Sequence, residues 1–141
     1  MGARSSPRTG LGGAALIGLG VLLILPAYAL TRVSGVIDWR FIVGASVAMS
    51  VFAFLAYRSD KQRATTGEWR VPEATLQLTA LLGGWPGAFL AQRVYRHKTA
   101  KASFQFFFWV IVALHQYVAL DSLLSWRLAR ETGRLMRSLW G

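Results

Sequence analysis

Four short blocks of the chain hold most of the side chains able to do chemistry. They read Tyr57-x-x-Asp60-Lys61-x-x-Ala64, then Arg70-x-Pro72-Glu73, then Gly83-Gly84-x-x-Gly87, then His97-Lys98-Thr99-x-Lys101-x-x-Phe104. The ammonium groups of Lys61, Lys98 and Lys101 and the guanidinium of Arg70 are suited to holding an anionic group such as a phosphate. Asp60 and Glu73 are the acids placed to pair with them. His97 sits between Arg96 and Lys98, whose like charge biases the imidazole toward its neutral, proton-accepting form. His97 is therefore the candidate base, with Glu73 or Asp60 assisting. The plainer role for these acids is an ion-pair network tying the loops together.

The choice of cation is itself informative. Basic positions are written as Arg 13 times in 16, yet all three lysines fall between Arg58 and Lys101. That stretch holds eight of the sixteen basic positions, so chance alone would gather the lysines there about one time in ten. Lysine offers a compact, strongly hydrated charge on a flexible stem where arginine offers a flat fork. Contact with lipid headgroups is the simpler explanation for such cations. Other chemistries are excluded by composition. The chain has no cysteine, which removes disulfides, thiolate nucleophiles, zinc ribbons and iron–sulfur clusters. Two histidines eighteen residues apart and six scattered carboxylates give no metal-ligand spacing, so neither a metal nor another cofactor is expected. No Ser-His-Asp order, no phosphate-cradling loop before a lysine and no carboxylate pair at glycosidase-like spacing occur.

The elements that must position these residues follow from hydropathy. Of 141 residues, 54% are apolar, or about 61% with glycine counted and tyrosine left out. A soluble domain holds roughly 45–50%, and a globule this small would expose the surplus to water. A bilayer removes that conflict. The polar N-terminus 1–10 leads into an uncharged run at 11–30, about 30 Å long as a helix and enough to cross the hydrocarbon core. A competing reading of 1–29 is a cleaved signal, with Ala27-Tyr28-Ala29 as the cleavage site. A short polar turn follows, with Trp39 suited to an interface. A second run covers 41–57, and a charged loop at 58–73 ends in Arg70-Val71-Pro72-Glu73, a helix start.

The third run, 74–92, is interrupted by Gly83-Gly84-Trp85-Pro86-Gly87, so it is either a kinked span or a re-entrant hairpin. A basic loop at 93–101 precedes the last run, 103–120. That run opens with Phe104, Phe106, Phe107, Phe108 and Trp109, which reads as a lipid-facing or interfacial patch. Within it His115 and Gln116 need polar partners, expected to be Gln77, Thr79 or Ser50. In the tail, 121–141, Leu124, Leu128, Leu135 and Leu139 share one helical face opposite Arg127, Arg130, Arg134 and Arg137. Such a helix suits an anionic membrane surface, with binding to a partner protein as the alternative.

Charge counting leaves the topology open. With the N-terminus inside, four spans put ten Lys/Arg inside and six outside, and three spans plus a re-entrant segment give the same totals. Only the re-entrant arrangement puts both charged loops on one side.

Taken together, the four blocks resemble the bacterial membrane-protein family known as domain of unknown function 1294, over roughly Tyr57 to Trp109. The resemblance implies a membrane location and a helical fold and implies no activity. Many members resemble fusions with an N-terminal cold-shock domain. Here the N-terminus runs straight into an apolar segment, so nucleic-acid binding is not expected.

The expectation is an all-α, multi-pass protein of the bacterial inner membrane with three or four transmembrane helices and a C-terminal amphipathic interfacial helix. Lys61, Arg70, Lys98 and Lys101 would bind an anionic group, a phospholipid head for example. Pro72, Gly83, Gly84, Pro86 and Gly87 would shape the backbone around it. An enzyme acting on a lipid phosphate and a structural subunit of a membrane complex are the alternatives. No protein partner is specified.

Overall fold

Each long apolar run forms a helix, because backbone polar groups without water must bond within their own segment. A computed structural model describes residues 12–33, 38–96 and 101–141, and every element among them is helical. Helix α1 is Gly13–Val33, α2 is Trp39–Thr66, α3 is Glu73–Thr79, α4 is Trp85–Tyr95, α5 is Ala102–Leu123 and α6 is Arg127–Trp140. Three of them, α1, α2 and α5, are long and apolar enough to cross a membrane. Their outward side chains suit that role, since Ile17, Ile24, Phe52, Phe106 and Phe107 are all exposed. Apolar surface on this scale is foreign to monomers in water.

Helix α2 is about 42 Å long, well beyond the ~30 Å hydrocarbon core. Asp38 starts it by accepting the Arg40 N–H at 3.0 Å, and Gly67, with φ of 73°, ends it. The charged stretch that the sequence reads as loop from Arg58 is therefore helical up to Thr66. The cations there continue a helix that begins in apolar surroundings.

Between α3 and α4 the chain makes a wide π-type turn at Ala80–Gly84, and Gly83 takes φ of 102°, a value only glycine adopts freely. The surrounding contacts give the direction of each arm. Val71 N–H meets Asp60 at the C-terminal end of α2, whereas the Gly83 carbonyl accepts the Ser46 hydroxyl, at 2.9 Å, fourteen residues earlier on α2. Gly87 lies against Ser50, and Gln92 bonds Tyr57. Helix α3 thus runs antiparallel to α2 and α4 runs parallel to it. Gly84 and Gly87 permit this approach. A Cβ on Gly84 would stand 2.6 Å from the Met49 carbonyl oxygen, and one on Gly87 would overlap the Ser50 carbonyl. The core lies where these arms meet α2 and α5, around Tyr57, Leu76, Trp85, Phe89, Phe104 and Phe108.

Helix α5 splits the aromatic patch between two faces. Phe104 and Phe108 are buried in the core, contrary to the expectation that the patch faces lipid or the interface, while Phe106, Phe107 and Trp109 are exposed. A run of consecutive aromatics on a helix must divide in this way, because successive side chains point about 100° apart. Gln116 and His115 also depart from expectation. Gln116 donates to the Leu22 carbonyl of α1 at 2.6 Å, and His115 Nδ1 lies 2.8 Å from the Ile111 carbonyl of its own helix. Neither reaches Gln77, Thr79 or Ser50, because α5 turns this face toward α1.

The tail helix starts later than its leucine spacing suggests. Leu124 caps the end of α5, and Ser125 and Trp126 take left-handed φ values of 54° and 60° before α6 begins. Buried Asp121 holds this corner, accepting the Leu128 and Ala129 N–H groups at 2.9 and 3.1 Å. No residue of α6 is buried.

Candidate functional site

The charged residues converge where α2 ends, α3 begins and α5 begins. Asp60 is fully buried near the end of α2. Its Oδ1 accepts the Val71 N–H at 3.0 Å, and its Oδ2 lies 3.4 Å from Arg70 Nη2. A buried carboxylate persists only with such partners. Pro72 fixes the backbone that turns from Val71 into α3, leaving Glu73 in its first turn. Lys101, immediately before α5, places Nζ 2.9 and 2.8 Å from the two Glu73 carboxylate oxygens. Both side chains of that pair are about half exposed, so solvent screens the attraction.

Beneath the ion pairs lies a polar ladder that the sequence reading missed. Gln105 donates to Gln92 Oε1 at 2.8 Å, and Gln92 donates to the Tyr57 hydroxyl at 3.0 Å. This ties α5, α4 and α2 together across a buried layer. Gln77 donates to the Phe104 carbonyl at 2.9 Å, and its buried Oε1 has no partner among the described residues. The available signal was the presence of Gln92 and Gln105 in apolar surroundings, where a polar side chain requires a partner.

The structure brings Asp60 to Arg70 and Glu73 to Lys101. Lys61 is half-buried and makes no ion pair among the described residues. His97 and Lys98 lie outside the described residues. Arg58, Lys61, Arg63, Arg70, Arg93, Arg96 and Lys101 stand at this end against three acids, Asp60, Glu68 and Glu73. This end therefore carries a surplus of positive charge. Gly83, Gly84, Pro86 and Gly87 lie at the far end of the hairpin, remote from these charges, so they set its packing and cannot bring backbone to a ligand held by them.

Among the described residues this is an all-helical protein with three helices long and apolar enough to span a membrane. Residues 50–104 match the family described as Protein of unknown function (DUF1294). YsdA of Bacillus subtilis (strain 168), itself described as an uncharacterized protein, is 35% identical over 60 residues, covering 43% of this chain and 67% of the relative. The chain belongs to the DUF1294 family. No solved structure matches it.

Proposed function

We propose that this chain is a multi-pass protein of the bacterial plasma membrane, with residues 73–95 as a re-entrant hairpin and an anion-binding surface at the end that carries the charged loops. The observation that carries the reading is the Glu73–Lys101 ion pair, with Nζ to Oε2 at 2.8 Å. Were 74–92 a full span, these two residues would be separated by the ~30 Å hydrocarbon core. The surplus of cations favours the cytoplasmic side for this end. Helix α6 then lies on the opposite surface, its leucines toward lipid and its arginines toward headgroups.

The ligand that fits is an anionic group at the membrane surface, a phospholipid head in the first instance. Lys61, Lys98 and Lys101 supply compact charges, Arg70 adds a planar fork, and Asp60 and Glu73 orient them.

The chain contains no cysteine, so single-cysteine labelling is free of background. Ser59→Cys and Thr99→Cys should both resist a membrane-impermeant maleimide in intact cells and react after permeabilisation, while Ser138→Cys on α6 reacts from outside. Labelling of Thr99→Cys but not Ser59→Cys in intact cells would overturn the hairpin. For the ligand, phospholipid phosphate carried through purification should fall in the Lys61→Ala/Lys101→Ala variant and persist in Arg134→Ala. An equal fall in both variants would mean diffuse surface electrostatics.

A further inference from the structure

The half of the molecule remote from the ion pairs contains a cleft of about 1080 Å³ between α1 and α2, floored by the hairpin turn and α5. Leu23 and Leu30 of α1, Val47 and Val51 of α2, and Leu82 and Val118 from the floor give it an apolar wall. Part of its sparse polar lining is engaged within the protein. The Ser46 hydroxyl is bonded to the Gly83 carbonyl, and His115 Nδ1 to Ile111. A cleft of this volume and lining suits an apolar occupant, and its position on helices that can span a membrane would open it to lipid tails.

The mouth indicates what the occupant carries at its other end. Arg32 and Arg40 are exposed and adjoin the cleft-lining residues Val33 and Phe41. Aromatic neighbours hold both. Arg32 donates to the Tyr28 hydroxyl at 2.8 Å, and the Arg40 guanidinium stands 5.8 Å from the centre of the Trp39 ring. Asp38 directs Oδ1 to the Arg40 backbone N–H. Trp126, which also lines the cleft, immediately precedes α6 with its four arginines. A second copy of the chain docked in register would bring the same cations against these, a like-charge contact that disfavours it.

We infer that this cleft is a binding site for an anionic phospholipid, with an acyl chain between α1 and α2 and the phosphate at Arg32 and Arg40. The site is separate from the anion-binding surface at the other end and does not depend on it. Trp126 and the Asp121 corner would then fix the position of α6 beside the bound headgroup.

The test uses the purified full chain in phosphatidylcholine vesicles containing phosphatidylglycerol with a photoactivatable acyl chain. Adducts mapped after illumination should concentrate on cleft residues such as Val47 and Val118 over the outward-facing Phe106 and Phe107. Ala45→Trp, which places a ring in the cleft, should remove the cleft adducts and leave the outward ones. Arg32→Gln and Arg40→Gln leave the wall intact, and each should lower the preference for the phosphatidylglycerol probe over a phosphatidylcholine probe roughly fivefold. Lys61→Ala/Lys101→Ala should leave the adduct pattern unchanged, which separates this site from the charged-loop end. Adducts spread evenly over lipid-facing residues, unchanged headgroup preference in both arginine variants, or crosslinked dimers through the cleft would each overturn the assignment.

Discussion

Two buried carboxylates, one near each end of the molecule, perform similar tasks by different means. Asp60 is enclosed where α2 meets α3, and among its partners are a guanidinium and one backbone N–H. Asp121 is enclosed where α5 meets α6, and both of its oxygens accept backbone N–H groups from the first turn of the following helix. In the first case a mobile side-chain charge offsets burial. In the second the positive end of a helix does so, with two fixed donors. The Asp60 corner therefore depends in part on a charge that salt can screen, whereas the Asp121 corner rests on backbone donors that salt leaves in place.

The comparison breaks most severely at the element that supports only one side of it. Gly87→Ala would drive a methyl into the Ser50 carbonyl, costing about 3 kcal/mol or more and dislodging the hairpin that bears Glu73. Thermal unfolding in detergent should show a large loss or no folded protein, while Gly133→Ala on α6, where a methyl meets open space inside a helix, should cause no loss. Next in size is Asp60→Ala. It leaves the Val71 N–H without this acceptor and removes one partner of Arg70, a loss of about 2–3 kcal/mol read by the same measurement. Asp121→Ala should cost less, about 1–2 kcal/mol, as the loss of a helix cap. Its distinguishing signature is increased proteolysis at 124–127 with the hairpin intact, and Asp121→Asn should recover part of the loss. Smallest is Glu73→Gln, under about 1 kcal/mol because the pair is half exposed. The sharpening condition is salt. At 1 M, the difference between wild type and Glu73→Gln should vanish while that for Asp121→Ala persists.

Much of the architecture was legible because length and hydropathy alone decide whether a segment can cross a bilayer. The uncharged runs at 11–30, 41–57 and 103–120 are the cores of α1, α2 and α5. The interruption at Gly83–Gly87 was visible as composition, but whether the chain turns back there depends on which part of α2 faces Gly83, a fact of tertiary register. The same limit explains the misplaced partners of His115 and Gln116. Sequence indicates that a buried amide must bond something, while the rotation of α5 decides that Gln116 reaches Leu22. Asp121 gave no signal beyond being an acid at the end of an apolar run, because its acceptors' role depends on the left-handed corner at Ser125 and Trp126. At the candidate site the acids and cations could be read from charge pattern. The Tyr57–Gln92–Gln105 ladder was signalled only as amides that need partners, since the choice of partner depends on how α2, α4 and α5 meet.

The contact between the hairpin and α2 also sets how freely each side of it can vary in sequence. Gly84 and Gly87 meet Met49 and Ser50 through backbone atoms of α2, including both carbonyls. No larger residue fits on the hairpin side. On the α2 side the contacting atoms are common to every amino acid, so the side chains at 49 and 50 are released from this contact. Among relatives that keep the arrangement, positions 84 and 87 should read as glycine while their opposite numbers drift, and a search for compensating pairs would miss one of the tightest contacts in the molecule.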